Sequence, residues 1–232
     1  MDRINVLQRV IAHRSARTYL EIGVSAGNTF LRLEARKKIA VDPKIKIRRT
    51  KRLLFTLINP CNRFNEYCEM TSDRFFETKS HLLAERGLDV AFVDGLHTYE
   101  QALRDVEKSL GHLNPGGVIV MHDCNPPHEA AAHPARSLEH AQSLNLPGWT
   151  NEWCGDTFKA LVHLRSTRDD LNVFTFDCDY GLGVVMKGSP ETTLDYTPAQ
   201  IENMRYAELA ADRERILNLK TTERFDEWLQ SI

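Results

Sequence analysis

Four short apolar segments, each ending in an acidic residue or a glycine, constrain the fold of this chain most strongly. They are RTYLEIG, KIAVD, LDVAFVDG and VIVMHD, and helix-like stretches separate them. A nearly continuous apolar run is typical of a strand that is covered on both faces, as strands of parallel sheets are. Strands that alternate with helices predict βαβ units. We therefore predict an α/β fold with a doubly wound, Rossmann-like, mostly parallel sheet.

The same patterns predict the other elements of the first half of the chain. RFNEYCEM is a weaker strand between the second and third apolar segments. The helices are expected in NTFLRLEARK, in the basic residues 44–59, in SDRFFETKSHLLAER and in TYEQALRDVEKSLGHL. An NPGG turn is expected to end the last of these helices and to begin the VIVMHD strand.

The second half of the chain opens with an irregular segment. Residues 124–155 contain four prolines, and so long a loop in a compact domain is usually functional, which suggests a lid. GDTFKALVHLR predicts a helix, and LNVFTFD with GLGVVMKG predicts a C-terminal antiparallel hairpin. Two C-terminal helices are expected, PAQIENMRYAELAADRERIL and TERFDEWLQSI. We predict one domain over residues 1–190 and a helical extension over residues 191–232 packed on it.

Composition excludes several classes of protein. The net charge of −2 gives no reason to expect nucleic acid or an anionic membrane as a partner. The chain has no apolar run long enough for a membrane span, and its polar start lacks the apolar core of a signal peptide. The five scattered cysteines argue against a disulfide framework and against structural zinc. We expect a cytoplasmic protein.

The turn after the first strand has features of a ligand cradle. In EIGVSAGNT, Gly23 and Gly27 allow the backbone to approach a ligand at the start of the next element, with Ser25 between them. Glu21 could receive an ammonium or hydroxyl group, and Asp42 at the end of the next strand could bind ribose hydroxyls. The glycines could also be plain turn residues, and Asp42 could cap a helix. The turn lacks the G-x-G-x-x-G spacing, which disfavours NAD.

A second group of polar residues follows the later strands. Asp94 ends one strand, His122 and Asp123 end the next, and His97 stands in the loop after Asp94. Carboxyl ends of parallel strands open onto one crevice. Two mechanisms remain open there: a histidine base oriented by a carboxylate, or a divalent cation such as Mg²⁺ held by Asp94 and Asp123. We favour the histidine base. His97 could instead be a surface histidine, and His122 a hydrogen-bonded strand-end residue.

These motifs together resemble those of a known family. YLEIGVSAGNT, then VDP, then LDVAFVDGLHTYEQALRDVEKSLGHLNPGGVIVMHDC resemble class I S-adenosylmethionine (SAM)-dependent methyltransferases. The resemblance is closest to a subgroup with VDG-x-H-x-Y and PGG…HD motifs, and it covers roughly residues 18–125.

The resemblance implies a set of cofactor contacts. It implies that the turn surrounds the amino-acid part of SAM and that Asp42 binds the ribose; the turn residues concerned are Glu21, Gly23, Ser25, Gly27 and Asn28. Ser72 and Asp73 would flank the adenine, although both residues are also common helix caps. Similar O-methyltransferases hold a metal with an Asp-Asn pair after the fifth strand, whereas Asn125 is displaced by one residue in HDCN.

The functional hypothesis is a SAM-dependent methyltransferase acting on a hydroxyl of a small polar acceptor, such as a sugar or a secondary metabolite. Two alternatives remain: a non-catalytic SAM-binding or scaffold protein, and an NAD-type oxidoreductase. The C-terminal helices could form a homodimer surface or cover the substrate cleft. The basic run KIKIRRTKR could attract an acidic acceptor or partner, or be a solvated face.

Overall fold

The computed structural model describes all 232 residues, and they divide into two compact units. The first unit comprises residues 1–95 and 105–120 together with residue 232, and the second comprises residues 96–104 and 121–231. None of the helices has the length and apolar character that a bilayer crossing requires. The predicted boundary at residue 190 lies inside the second unit and stays a prediction.

The first unit is built around parallel strands. Its strands are β1 (Thr18–Ile22), β2 (Lys37–Asp42), β3 (Glu66–Glu69), β4 (Leu88–Val93) and β5 (Leu113–Met121, whose last residue belongs to the second unit). Its helices are α1 (Arg3–His13), α2 (Arg49–Ile58), a 3-10 helix (Pro60–Phe64), α3 (Ser72–Thr78), α4 (His81–Ala84) and α5 (Tyr99–Leu110, which begins in the second unit). The strand order is β3-β2-β1-β4-β5.

The register of these strands brings their carboxyl ends to one edge. β1 pairs in parallel with β2 and β4, and β2 pairs in parallel with β3. Ile22 lies opposite Val41 on one side and Val93 on the other. Gly23 and Asp94, which follow β1 and β4, and Asp42, which ends β2, therefore lie at the same edge of the sheet.

The second unit contains an antiparallel hairpin and short helices. Its elements are α6 (Leu138–Ser143), α7 (Phe158–Thr167), β6 (Leu171–Phe176), β7 (Leu182–Lys187), α8 (Pro198–Asn203), α9 (Tyr206–Ala211), α10 (Arg213–Leu217), β8 (Leu219–Lys220), a 3-10 helix (Thr222–Arg224) and α11 (Phe225–Ser231). β6 and β7 are antiparallel, and β8 pairs in parallel with β6. The predicted α/β class, mostly parallel pairing and C-terminal hairpin are confirmed; β8 was not predicted.

The helix predicted in NTFLRLEARK does not form. Residues 28–36 are turns and irregular backbone. Their carbonyl oxygens accept hydrogen bonds from side chains instead of from helical N–H groups: Lys38 Nζ donates to Phe30 and Leu33, and Asn62 Nδ2 donates to Leu31. The apolar residues of this segment are thereby buried without helical structure.

Two further helix predictions were too long. In the segment 44–59, only Arg49–Ile58 is helical. The backbone before it is held elsewhere, because the Lys44 N–H donates to Asp42 and the Lys46 N–H donates to Ser25. The SDRFFETKSHLLAER helix is broken into α3 and α4 where Lys79 leaves the helical conformation.

The NPGG sequence and the C-terminal helices also differ from expectation. NPGG lies inside β5, and α5 ends earlier, at Leu110. The expected helix over residues 198–217 is three short helices, because Met204 is extended and Asp212 leaves the helical region. Asn218, in the left-handed region at φ 46°, then ends α10 and leads the chain into β8.

Candidate active site

The glycine turn of the first unit is fixed by close packing. Gly23 has φ +93°, and a Cβ atom there would lie 1.8 Å from the Asp94 carbonyl oxygen. No residue other than glycine fits this position without a shift of the backbone. Ser25 also adopts a positive φ, of 45°, which is uncommon for a residue with a side chain.

Asp42 supports this unusual backbone. Its Oδ2 accepts a hydrogen bond of 2.7 Å from the Ser25 N–H, and its Oδ1 accepts one of 2.7 Å from the Lys44 N–H. The next helix begins only at Arg49, so Asp42 does not cap a helix. The carboxylate links the end of β2 to the turn, and its remaining lone pairs are available to a ligand.

The other end of the turn is held by a cation. Lys51 Nζ donates to the Ala26 carbonyl at 2.7 Å and to Asn28 Oδ1 at 2.6 Å. The backbone N–H groups of Ala26 and Asn28 form no hydrogen bond within the chain. Free N–H groups in a turn of this kind are suited to bind a carboxylate or another anion.

Glu21 lies in β1, directly before this turn, and is buried. Its Oε2 accepts a hydrogen bond of 2.5 Å from the Tyr19 hydroxyl. Burial raises the pKa of Glu21 to about 8, and the nearby Asp94 charge adds to that effect, while Tyr19 and Lys38 oppose it. A ligand cation close to Glu21 would favour its ionised form and so release a proton.

Ser72 and Asp73 occupy the first turn of α3, although neither is its cap. The capping residue is Thr71, whose side chain accepts from the Arg74 N–H. Ser72 is buried, and Asp73 accepts a hydrogen bond of 2.7 Å from Lys108 Nζ. The reading of these two residues as caps is therefore wrong, and their adenine contact stays a prediction.

Asp94 has a partner that sequence reasoning missed. Arg3, in the first turn of α1, donates from a guanidinium nitrogen to Asp94 Oδ2 at 3.1 Å. Nothing in the sequence pattern linked residues so far apart in the chain. Asp94 belongs to the first unit and Asp123 to the second, and the metal role of this pair stays a prediction.

The predicted histidines and Asp123 lie together in the second unit. Asp123 Oδ2 is 3.3 Å from His97 Nε2 and 2.8 Å from His122 Nδ1. The other nitrogen of His122, Nε2, is 3.5 Å from Asp179 Oδ1. The sequence predicted the first three residues of this cluster. It gave no signal for Asp179, which lies in the turn between β6 and β7.

The protonation of His97 is determined by a backbone carbonyl. His97 Nδ1 lies 2.8 Å from the Trp153 carbonyl oxygen, and a carbonyl only accepts, so Nδ1 carries a hydrogen. In the neutral ring Nε2 is then an acceptor, and it faces the Asp123 carboxylate. His97 Nε2 and Asp123 Oδ2 are then two acceptors that face each other, and a proton or a cation between them would stabilise this arrangement. The His97 ring also stacks on Trp153, with centroids 5.2 Å apart.

Asp123 is further constrained by its backbone and by Cys154. Its φ of 59° is unusual for a non-glycine residue. The Cys154 thiol donates a hydrogen bond to Asp123, and burial with the Asp123 charge raises the pKa of that thiol well above its ordinary value. Cys154 is therefore a neutral donor that holds the carboxylate in place.

Trp153 anchors the irregular segment 124–155. Its indole N–H donates to the His133 carbonyl at 2.9 Å, and its ring packs on Ala135 and Ala141. The segment contains the short helix α6 and is otherwise irregular. Its function as a lid stays a prediction.

A polar cavity of about 390 Å³ lies beside the histidine cluster in the second unit. Its polar lining comes from Asn125, Asp177, Asp179, Tyr180 and Arg213. The Arg213 guanidinium donates to the Asn125 side chain and, at 2.9 Å, to the carbonyl of residue 126. A hydrogen bond to Glu152 raises the pKa of Tyr180 to about 12. Except for Asn125, these residues were not identified from the sequence.

Comparisons with known proteins agree with the sequence motifs. Residues 20–124 match the model of a family described as a methyltransferase domain. No curated protein matches the chain in sequence.

Solved structures share the fold at low identity. The O-methyltransferase TomG from Streptomyces achromogenes, which is involved in tomaymycin synthesis and was crystallised with SAM, is 14% identical, with a TM-score of 0.54 and 79% of each chain covered. An O-methyltransferase from Bacillus cereus in complex with SAH is 14% identical, with a TM-score of 0.53 and 80% of each chain covered. The SAH-bound methyltransferase PaMTH1 from Podospora anserina is 14% identical, with a TM-score of 0.53 and coverage of 82% of this chain and 80% of that one.

Proposed function

We propose that this chain transfers a methyl group from SAM to a hydroxyl of a small polar acceptor; the match of residues 20–124 to a methyltransferase-domain model supports the reaction class. A sugar or a secondary metabolite is an acceptor of this class. The single observation that supports proton removal by this site is the geometry of His97: Nδ1 keeps its hydrogen on the Trp153 carbonyl, and Nε2 lies beside the Asp123 carboxylate.

The residues of the glycine turn fit the chemical groups of SAM. SAM has an ammonium group, a carboxylate and a ribose diol. The turn offers the buried Glu21 carboxyl, the free N–H groups of Ala26 and Asn28, and the Asp42 carboxylate at the adjoining strand end. Gly23, Ser25 and Gly27 allow the backbone to approach the donor. Ser72 and Asp73 would flank the adenine.

Bound SAM would supply an electrophilic methyl group attached to its sulfonium sulfur. After transfer of that methyl group, SAH, whose sulfur is an uncharged thioether, would be the leaving group. The contribution of the chain is proximity and removal of the acceptor proton. His97 Nε2 would accept the hydroxyl proton as the acceptor oxygen bonds to the methyl carbon and the carbon–sulfur bond of SAM breaks. Asp123 stabilises the imidazolium that results. The Cys154 thiol holds Asp123 in position, and His122 Nδ1 lies 2.8 Å from the same carboxylate.

The acceptor is proposed to bind in the polar cavity of the second unit. The Asp177 and Asp179 carboxylates can accept hydrogen bonds from hydroxyl groups, and the Asn125 side chain can accept or donate them. Asp179 also approaches His122. The volume of about 390 Å³ is within the range of small-molecule sites. This lining suits a polar acceptor better than an apolar one.

A divalent cation is the second candidate for activating the hydroxyl. His97 Nε2 and Asp123 Oδ2 face each other as acceptors, which favours a cation such as Mg²⁺ as well as a proton. Asp94 is the further ligand that the sequence predicts. A metal would lower the pKa of the acceptor hydroxyl, and the histidine would then be a ligand and not a base.

The two mechanisms can be separated by a transfer assay. Purified protein is incubated with methyl-labelled SAM and a panel of sugars, catechols and phenols, with and without EDTA. Transfer that persists in EDTA supports the histidine base, and transfer that stops in EDTA and returns with Mg²⁺ supports the metal. SAM binding without transfer to any acceptor would favour a non-catalytic SAM-binding protein. Binding of NAD in place of SAM would favour an oxidoreductase.

A further inference from the structure

One face of α2 exposes apolar side chains to water. Leu53, Leu54, Leu57 and Ile58 are 67%, 54%, 76% and 67% exposed, and no residue of this helix is buried. Their spacing places them on one side of the helix. Phe64, at the end of the following 3-10 helix, is 72% exposed. An apolar patch of this kind on a folded protein marks an interaction surface.

The same segment is strongly basic. Residues 44–64 contain seven of the 30 basic residues of the chain and no acidic residue. Five of the seven are exposed and form no ion pair or side-chain hydrogen bond within the chain; they are Lys44, Lys46, Arg48, Arg49 and Arg63. The net charge of −2 therefore conceals a local excess of positive charge, and the rest of the chain is net negative.

A cationic pocket adjoins this surface. A cavity of about 340 Å³ is lined by Arg17, Arg36, Lys37, Arg86 and the exposed Phe64. The guanidinium groups of the three arginines make no hydrogen bond or ion pair within the chain. Several unpaired guanidiniums around one cavity form a site for an anion such as a phosphate group. Phe64 lines this pocket and ends the 3-10 helix that follows α2 in the chain.

We propose that this surface, residues 44–64 with the pocket of Arg17, Arg36, Lys37 and Arg86, binds peripherally to membranes that contain anionic phospholipids. The leucines and Phe64 enter the boundary between headgroups and acyl chains, the exposed cations approach the lipid phosphates, and the pocket takes one headgroup. Exposed apolar residues beside basic residues on one helix are the pattern of interfacial binding. This proposal goes beyond the expectation from the net charge, and it assigns an acidic partner to the basic run KIKIRRTKR.

The charges and the leucines argue against the other occupants of this surface. A second copy docked face to face would bring two groups of unpaired cations together, which is unfavourable. A nucleic acid would satisfy the cations but would leave the exposed leucines in water. An anionic lipid surface satisfies both features.

The test is sedimentation of the full chain with vesicles. Phosphatidylcholine vesicles are compared with vesicles containing roughly 30 mol% phosphatidylglycerol, at low and high salt. The wild type is expected to bind the anionic vesicles at least tenfold more tightly, with a loss at high salt. Leu57→Ser/Ile58→Ser and Arg36→Glu/Arg86→Glu are each expected to weaken binding about tenfold or more.

Matched controls change similar residues elsewhere. Leu138→Ser/Leu144→Ser removes two leucines of the second unit that are 41% and 39% exposed, and Arg136→Glu/Arg224→Glu reverses two exposed charges. Both controls should bind vesicles like the wild type. Equal binding to neutral and anionic vesicles, no binding to either, or binding that survives both test variants would overturn the proposal. A dimer that is dissociated by Leu57→Ser/Ile58→Ser, with no vesicle binding, would assign the surface to a second copy.

Discussion

At the level of single residues, the Trp153 carbonyl oxygen holds the hydrogen of His97 on Nδ1, and this leaves Nε2 beside Asp123. The same carboxylate is contacted by His122 and by the Cys154 thiol. The side chain of His97 is 20% exposed and that of His122 only 4%. His97 is thus the more accessible of the two histidines, and it is the one that we propose as the base.

Replacement of His97 by glutamine tests this assignment. His97→Gln keeps a polar side chain but cannot take a proton, so kcat is expected to fall about 100-fold or more. SAM binding should be unchanged, because the donor residues belong to the first unit. Transfer rates are measured with an acceptor from the panel, and donor binding by calorimetry. His140→Gln, in α6, is the matched control, and equal activity of His97→Gln and wild type would exclude His97 as base or ligand.

Glu21 predicts how stability depends on pH. Its pKa is about 8 in the folded chain and near 4.5 in the unfolded chain. Between these values the unfolded chain has lost the proton while the folded chain retains it. The free energy of unfolding therefore falls as pH rises through this window and levels off above pH 8. The expected loss from this group is on the order of 5 kcal/mol.

The Glu21→Gln variant removes this titration and keeps the acceptor for Tyr19. Urea unfolding at several pH values between 5 and 8 should show the wild type losing stability relative to Glu21→Gln. Parallel stability curves for the two proteins would mean that Glu21 ionises normally. A second consequence is that SAM binding near neutral pH should release protons, and calorimetry in buffers of different ionisation enthalpy measures that release.

At the level of elements, the segment 28–36 shows what the sequence patterns cannot reveal. NTFLRLEARK has the composition of a helix, yet its backbone is organised by the buried Lys38, whose Nζ contacts the carbonyls of Phe30 and Leu33 and Asn62 Oδ1. Burial lowers the pKa of Lys38 to about 8. Hydrogen bonds from residues outside a segment override its local helix propensity.

Lys38→Met should therefore destabilise the first unit. The change leaves two buried carbonyls and an amide oxygen without their donor, and the expected loss is roughly 3 kcal/mol in the free energy of unfolding. Urea unfolding measures this loss, and hydrogen exchange should increase first in residues 28–36. Lys37→Met is the control, because Lys37 makes a single hydrogen bond to the Leu82 carbonyl. Similar stability of the two variants would contradict this role for Lys38.

The elements that could be predicted are those with a local signal. Apolar runs and short turns predict β1, β2, β4 and the β6–β7 hairpin, and these predictions are confirmed. The contacts of Arg3, Asp179 and Arg213 join residues distant in the chain, so no local pattern reveals them. The C-terminal segment has the composition of one long helix, but single residues such as Asp212 interrupt it. The sequence pattern does not show which residues do so.

At the level of the whole molecule, the two units carry separate parts of the proposed activity. The residues proposed to bind SAM, from Glu21 to Asp73, belong to the first unit, and the histidine cluster and polar cavity belong to the second. The positive charge is concentrated on the surface of residues 44–64, in the first unit. Sequence alone singled out the glycine turn and the histidines as candidate site residues, while the polar cavity required the three-dimensional arrangement.

The central claim, that the chain is a SAM-dependent methyltransferase, is tested most directly by calorimetric titration with SAM and with SAH, with and without magnesium. We predict binding of one molecule of each per chain with a dissociation constant on the order of micromolar, which corresponds to about 8 kcal/mol. The Asp42→Ala substitution should weaken the binding of SAM and of SAH by tenfold or more. A folded protein that binds neither ligand would contradict the account, because the glycine turn would then have only a structural role.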